Sequence, residues 1–142
     1  MKIEYIILIG VMMLSVGLLL FAFTDFLKNK QDSSANNFRS IVSGTTEQGD
    51  VAIEITPQNL DDGKASFLIS VNTHSIDLSQ FDLKQITFMD YDGNSISPTE
   101  APVLNGHHAS GIIIFDTGKK INSFKIEIKG IPKTEDRVFT WD

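Results

Sequence analysis

From position 50 onward, apolar and polar residues alternate with a period of two. Val51, Ile53 and Ile55 alternate with Ala52, Glu54 and Thr56, and Phe67, Ile69 and Val71 alternate with Leu68, Ser70 and Asn72. Phe124, Ile126 and Ile128 alternate with Lys125, Glu127 and Lys129. Successive side chains of a strand point to opposite faces, so each run predicts a half-buried strand. Ile86 and Phe88 predict a further short strand, and residues 137–141 a last one. The apolar run 112–115 predicts a central strand covered on both faces.

Turn chemistry separates these runs. Asp61-Asp62-Gly63 predicts a turn, and Asp90-Tyr91-Asp92-Gly93-Asn94 predicts a hairpin. A calcium loop is excluded in that second segment, because Gly falls at the fourth position rather than the sixth and no Glu stands at the twelfth. Strands at this spacing, with no long helical pattern, predict an all-β domain over residues 50–142. The expected architecture is an antiparallel β-sandwich of immunoglobulin or fibronectin type, with a small open barrel as the alternative.

The pattern before position 50 is different. Residues 6–23 carry no charge, and their length of about 27 Å as a helix matches the hydrocarbon thickness of a bilayer. Tyr5 on one side and Phe23 and Phe26 on the other suit an interfacial aromatic belt. A cleaved signal peptide would need small residues at its cleavage site, whereas the apolar stretch ends Phe21-Ala22-Phe23-Thr24-Asp25. Residues 1–27 are therefore expected to be an uncleaved transmembrane anchor, with residues 28–49 as a polar linker. Lys28 and Lys30 against Lys2 favour a cytoplasmic domain by charge counting. The very short N-terminal tail favours a signal-anchor that carries the rest of the chain across, and the domain is expected on the non-cytoplasmic side.

Composition narrows the function classes. From position 31 onward the chain has 9 Lys and Arg against 16 Asp and Glu, a net charge of −7. No basic stripe is present, so nucleic acid is not an expected partner. The chain has no cysteine, which removes disulfides, thiolate metal sites and cysteine nucleophiles. Any metal site must use imidazole and oxygen ligands. No nucleophile-elbow or phosphate-cradling glycine loop occurs, and an enzyme is not expected.

The three histidines are the sharpest chemical feature. His74 stands in Thr73-His74-Ser75-Ile76-Asp77-Leu78 at the end of a strand, on the face opposite Phe67, Ile69 and Val71. His107 and His108 stand in Gly106-His107-His108-Ala109-Ser110-Gly111, just before the apolar run. Two loops at one end of a sandwich would bring His74, His107 and His108 together, with Asp77 or a water as a further ligand, a donor set suited to copper, zinc or nickel. Gly106 and Gly111 would let the backbone fold closely there. Against this, adjacent residues of an extended strand point apart, so His107 and His108 chelate together only in a bent backbone. Loop histidines bonded to carbonyl groups are the structural alternative.

The Thr-His-Ser-x-Asp-Leu strand end and the Gly-His-His-x-x-Gly element resemble those of small, mostly uncharacterised prokaryotic membrane-anchored envelope proteins with a β-sandwich domain. The resemblance covers residues 51–141, including the terminal aromatic of Arg137-Val138-Phe139-Thr140-Trp141, and lacks a tryptophan in the stretch 101–105. It implies an anchored or exported β-domain and importance for the histidine motifs, with no activity attached. Two functions are expected on these grounds. One is an extracytoplasmic metal-binding domain held to the bilayer through residues 6–23. The other is a structural module that contacts another membrane or envelope protein.

Overall fold

A computed structural model describes residues 38–61 and 63–142, which lie in a compact unit spanning Ala35–Asp142. The expected anchor and the first part of the linker lie outside the described residues. Among the described residues, no helix is long and apolar enough to cross a membrane.

Eight strands form two antiparallel sheets. In chain order they are β1 (Ile41–Ser43), β2 (Ala52–Asn59), β3 (Lys64–Asn72), β4 (Thr87–Tyr91), β5 (Asn94–Ile96), β6 (His108–Asp116), β7 (Phe124–Lys129) and β8 (Asp136–Trp141). One sheet has the order β1-β2-β3-β6 and the other β5-β4-β7-β8. A 3-10 turn (Leu78–Gln80) and one turn of helix, α1 (Leu83–Ile86), join β3 to β4. Asp77 and Asp82 start these turns, each carboxylate accepting a backbone N–H two residues on.

The predicted alternation holds where it is cleanest. Val51, Ile53 and Ile55, then Phe67, Ile69 and Val71, then Phe124, Ile126 and Ile128 are all buried between the sheets. Phe67 meets Phe115 and Phe124 edge-on, and Trp141 stacks on Phe124 with ring centroids 5.1 Å apart. Leu60, Leu78, Leu83, Leu104, Ile121 and Ile131 close the core from the connections. The hairpin turn forms at Asp92-Gly93, where both residues have positive φ (47° and 78°) as a two-residue hairpin loop requires.

Two strand expectations need correction. In β4 the inward residues are Thr87, Met89 and Tyr91, so Phe88 faces outward, where the Lys129 ammonium lies over its ring. The run 112–115 is not covered on both faces. β6 ends its sheet, Ile113 and Phe115 point inward, and Ile112 is 45% exposed on the outer face. The outer edge of β6 is covered only in part, where Thr99 and Glu100 exchange backbone hydrogen bonds with Ile114.

Residues 38–49, expected within the linker, supply β1 and the loop that leads to Asp50. Phe38 packs edge-on against Phe124, and the Trp141 indole N–H donates to the Arg39 carbonyl at 2.8 Å. The chain thus comes into the domain at the Phe124–Trp141 end of the sandwich. The pairing of Asn72 with His108 lies at the other end of β3. The nine residues of β3 run from one end to the other, about 26 Å of strand.

Candidate functional site

The two histidine motifs dock on each other. The Thr73 N–H donates to the His107 carbonyl at 2.9 Å, and the Leu78 N–H donates to the Gly106 carbonyl at 2.8 Å. His107 Nδ1 adds a third strap, 2.9 Å from the Ile76 carbonyl. A carbonyl only accepts, so Nδ1 of His107 carries the proton and Nε2 keeps its lone pair. Gly106 has φ 63°, the left-handed turn that lets this loop reach back to the end of β3. Gly111 has a different role: a Cβ there would lie 2.5 Å from Cβ of Pro102, so its hydrogen makes room for the segment beside β6.

Thr73 anchors the junction from below. It is fully buried, its hydroxyl donates to the Asp50 carbonyl at 2.7 Å, and its oxygen accepts from the Ser75 and Ile76 N–H groups. Ser75 Oγ in turn accepts from the Gly49 N–H at 2.7 Å. Much of the motif around His74 is therefore spent on holding three chain segments together.

The imidazoles divide into two groups. His74 and His108 face each other with ring centroids 6.4 Å apart and planes at 71°. The register Asn72↔His108 places the His108 ring beside the Asn72 side chain, and His108 Nδ1 lies 3.0 Å from Asn72 Oδ1. The Asn72 amide is itself oriented, since its Nδ2 donates to Ser70 Oγ at 2.9 Å. Oδ1 is then the acceptor, the proton sits on Nδ1 of His108, and Nε2 is left as a free donor atom for a ligand. Among the described residues, the His74 ring makes no hydrogen bond. His107 is held away from this pair by the Ile76 carbonyl, as the alternation of adjacent residues predicts.

Asp77 stands with His107 rather than with the pair. Its carboxylate accepts from the Ser79 N–H at 3.0 Å, and its hydrogen bonds with Ser79 hold its pKa below the ordinary carboxylate value. Among the described residues, no three His, Asp or Glu side chains gather into a set that could hold a metal ion by themselves. A surface groove of about 380 Å³ lies between the 3-10 turn and the segment 101–104, lined by Phe81, Pro102 and Val103 among others, and no histidine borders it.

Beneath the junction lies a buried pair that the sequence pattern does not single out. Arg137 is 1% exposed, and its Nη2 donates to Asp50 Oδ1 at 2.9 Å and to the Pro132 carbonyl at 3.1 Å. Burial alone pushes the Asp50 carboxyl up, but the Arg137 guanidinium, the Val51 N–H and both donors of Thr45 outweigh it and hold the pKa down to about 2. A Cβ on Gly44 would run into Arg137 Nη1 and the Val51 carbonyl, so only glycine fits over the guanidinium. An Arg near the start of the last strand and an Asp just before β2 give no local hint that they meet; they are 87 residues apart.

Compared with known proteins, the chain matches no family model, no curated protein and no solved structure.

Proposed function

We propose that this chain is a membrane-anchored, non-enzymatic binding domain whose ligand is a transition metal, copper or zinc, taken by His74 and His108. The observation that carries the reading is the pairing of these two rings from positions 34 residues apart, with Nδ1 of His108 engaged by the Asn72 amide so that Nε2 keeps its lone pair. Metal-bound histidines commonly donate their other ring N–H to an oxygen that fixes tautomer and orientation. Asn72 is placed to do this for His108. His107 keeps the loop strapped to Ile76, and Asp77 caps the turn below it, so both support the pair from outside it.

In this reading residues 6–23 are the anchor and residues 28–37 the tether, with the domain on the non-cytoplasmic side. The strand orders β2-β3-β6 and β5-β4-β7-β8 suit a seven-stranded fibronectin-like sandwich, to which β1 adds an edge strand.

Calorimetric titration of the full chain in detergent micelles with Zn(II) and Cu(II) tests the proposal. Binding at neutral pH that weakens near pH 5, and that is lost in His74→Ala and His108→Ala but kept in His107→Ala, is the expected result. Equal binding by the His74→Ala, His108→Ala double variant would sink it.

The second reading, an assembly module without metal, draws on the exposed Leu68 and Ile112 side chains of the outer face. Capture of the same partner by wild type and by the histidine double variant would favour it.

A further inference from the structure

The turn that leads into the His107-His108 motif is the chain's one Asn-Gly step, Asn105-Gly106. The side-chain carbonyl of an asparagine is open to attack by the backbone nitrogen of the next residue, which closes a five-membered ring. That nitrogen must be unhindered, free of hydrogen bonds and reached by water. Glycine, which has no Cβ, hinders it least. Most backbone N–H groups of a folded domain fail the second condition, because they are already paired.

Asn105-Gly106 meets all three conditions. Both residues are exposed, in the turn just ahead of β6. Among the described residues, neither the Asn105 side chain nor the Gly106 N–H has a hydrogen-bond partner. A Cβ built on Gly106 would meet nothing within 4 Å, so a ring has room to form there. Asn72 is guarded by contrast. Its amide is engaged with Ser70 and His108, and the Thr73 N–H behind it donates to the His107 carbonyl. Asn94 and Ser95 lie within β5.

We infer that Asn105 is a site of spontaneous deamidation that acts on the junction of the two histidine motifs. The Gly106 nitrogen loses its proton and bonds to Cγ of Asn105. The Cγ–Nδ2 bond breaks, and Nδ2 leaves as ammonia with that proton. Water then opens the succinimide at either carbonyl, giving an aspartyl or an isoaspartyl residue at position 105. Nothing is oxidised or reduced. The isoaspartyl form routes the main chain through the former side chain and adds a methylene to it just ahead of Gly106. The Gly106 carbonyl accepts from the Leu78 N–H at 2.8 Å and the His107 carbonyl from the Thr73 N–H at 2.9 Å, so the added atom displaces both straps. The inference is independent of the metal-binding reading.

Timed incubation of the full chain in detergent micelles at mildly alkaline pH, followed by peptide mapping with mass spectrometry, tests this. Acid should replace amide at Asn105 at least tenfold faster than at Asn94 or Asn122, and within tenfold of the rate for the same chain unfolded in urea. The isoaspartyl product should exceed the aspartyl one. Reaction at Asn105 only in urea would overturn the site, since the folded loop would then hold the nitrogen away from Cγ. Aspartyl product alone would overturn the attack by Gly106. In the isolated isoaspartyl fraction, hydrogen exchange should be faster at Thr73 and Leu78 than in the fresh chain. Unchanged exchange at both would overturn the link to the histidine junction.

Discussion

Arg137 Nη2 donates to Asp50 Oδ1 at 2.9 Å inside the sandwich, and the two residues are not equally provided with partners. Asp50 also accepts from Val51 N–H, Thr45 N–H and the Thr45 hydroxyl. Arg137 Nε and Nη1 have no partner among the described residues. Loss of the acid therefore leaves a buried cation nearly bare, whereas loss of the base leaves a carboxylate that keeps three donors. Asp50→Ala should cost about 3 kcal/mol or more, and Arg137→Met clearly less, because removing one partner of a buried pair strands the other. Urea denaturation of both variants measures the difference; a larger loss in Arg137→Met would contradict the assignment.

The same carboxylate makes stability depend on acid. Its pKa is about 2 when folded against an ordinary 3.8, so the folded state favours the ionised form. A depressed pKa contributes stability that is complete above about pH 4 and disappears as pH falls toward 2, here on the order of 2 kcal/mol. Denaturation midpoints of the wild type should fall across that window. Asp50→Asn should start lower at pH 7 and show a flatter fall.

Thr73 joins the histidine motif to this pair. Thr73→Val keeps the shape but leaves the Asp50 carbonyl without its donor and the Ser75 and Ile76 N–H groups without their acceptor. The expected loss is about 1–3 kcal/mol. Hydrogen exchange should localise it, with faster exchange at Ser75, Ile76 and Leu78 and little change at Ile126. Uniform loss of protection would mean that the hydroxyl does not act locally.

The histidines should separate in their effects on stability. His107→Ala removes the strap to the Ile76 carbonyl and should lower stability by about 1 kcal/mol. His74→Ala should be neutral, since its exposed ring holds nothing in place. Thermal denaturation without metal checks both. A destabilised His74→Ala with an unaffected His107→Ala would reverse the roles given to them.

How far these features are legible in the sequence depends on how local their causes are. Ile53, Ile55, Phe67 and Ile69 declare themselves because every second residue is large and apolar, which fixes the buried face. Asp92-Gly93 declares itself because few residues adopt two successive positive φ values. The pattern puts β4 in the wrong phase because Phe88 and Ile86 are more apolar than Thr87, yet the fold buries Thr87 and gives Phe88 a cation to cover it. Ile112 looks like a core residue because nothing within a four-residue apolar run tells inner from outer. For the histidines, alternation alone separates His107 from His108. Which of them meets His74 depends on the β3–β6 register, and registers between strands so far apart are not written locally. The Asp50–Arg137 pair is the extreme case, with 87 residues between its members and no pattern around either.

The central claim is that His74 and His108, and not His107, take the metal. Nitrogen NMR of the full chain in micelles, with ¹⁵N-labelled histidine and zinc added stepwise, tests it most directly. Nε2 of His74 and of His108 should shift together and saturate together, while His107 keeps its protonated Nδ1 and its shifts. Zinc-independent spectra, or a response confined to His107, would contradict it.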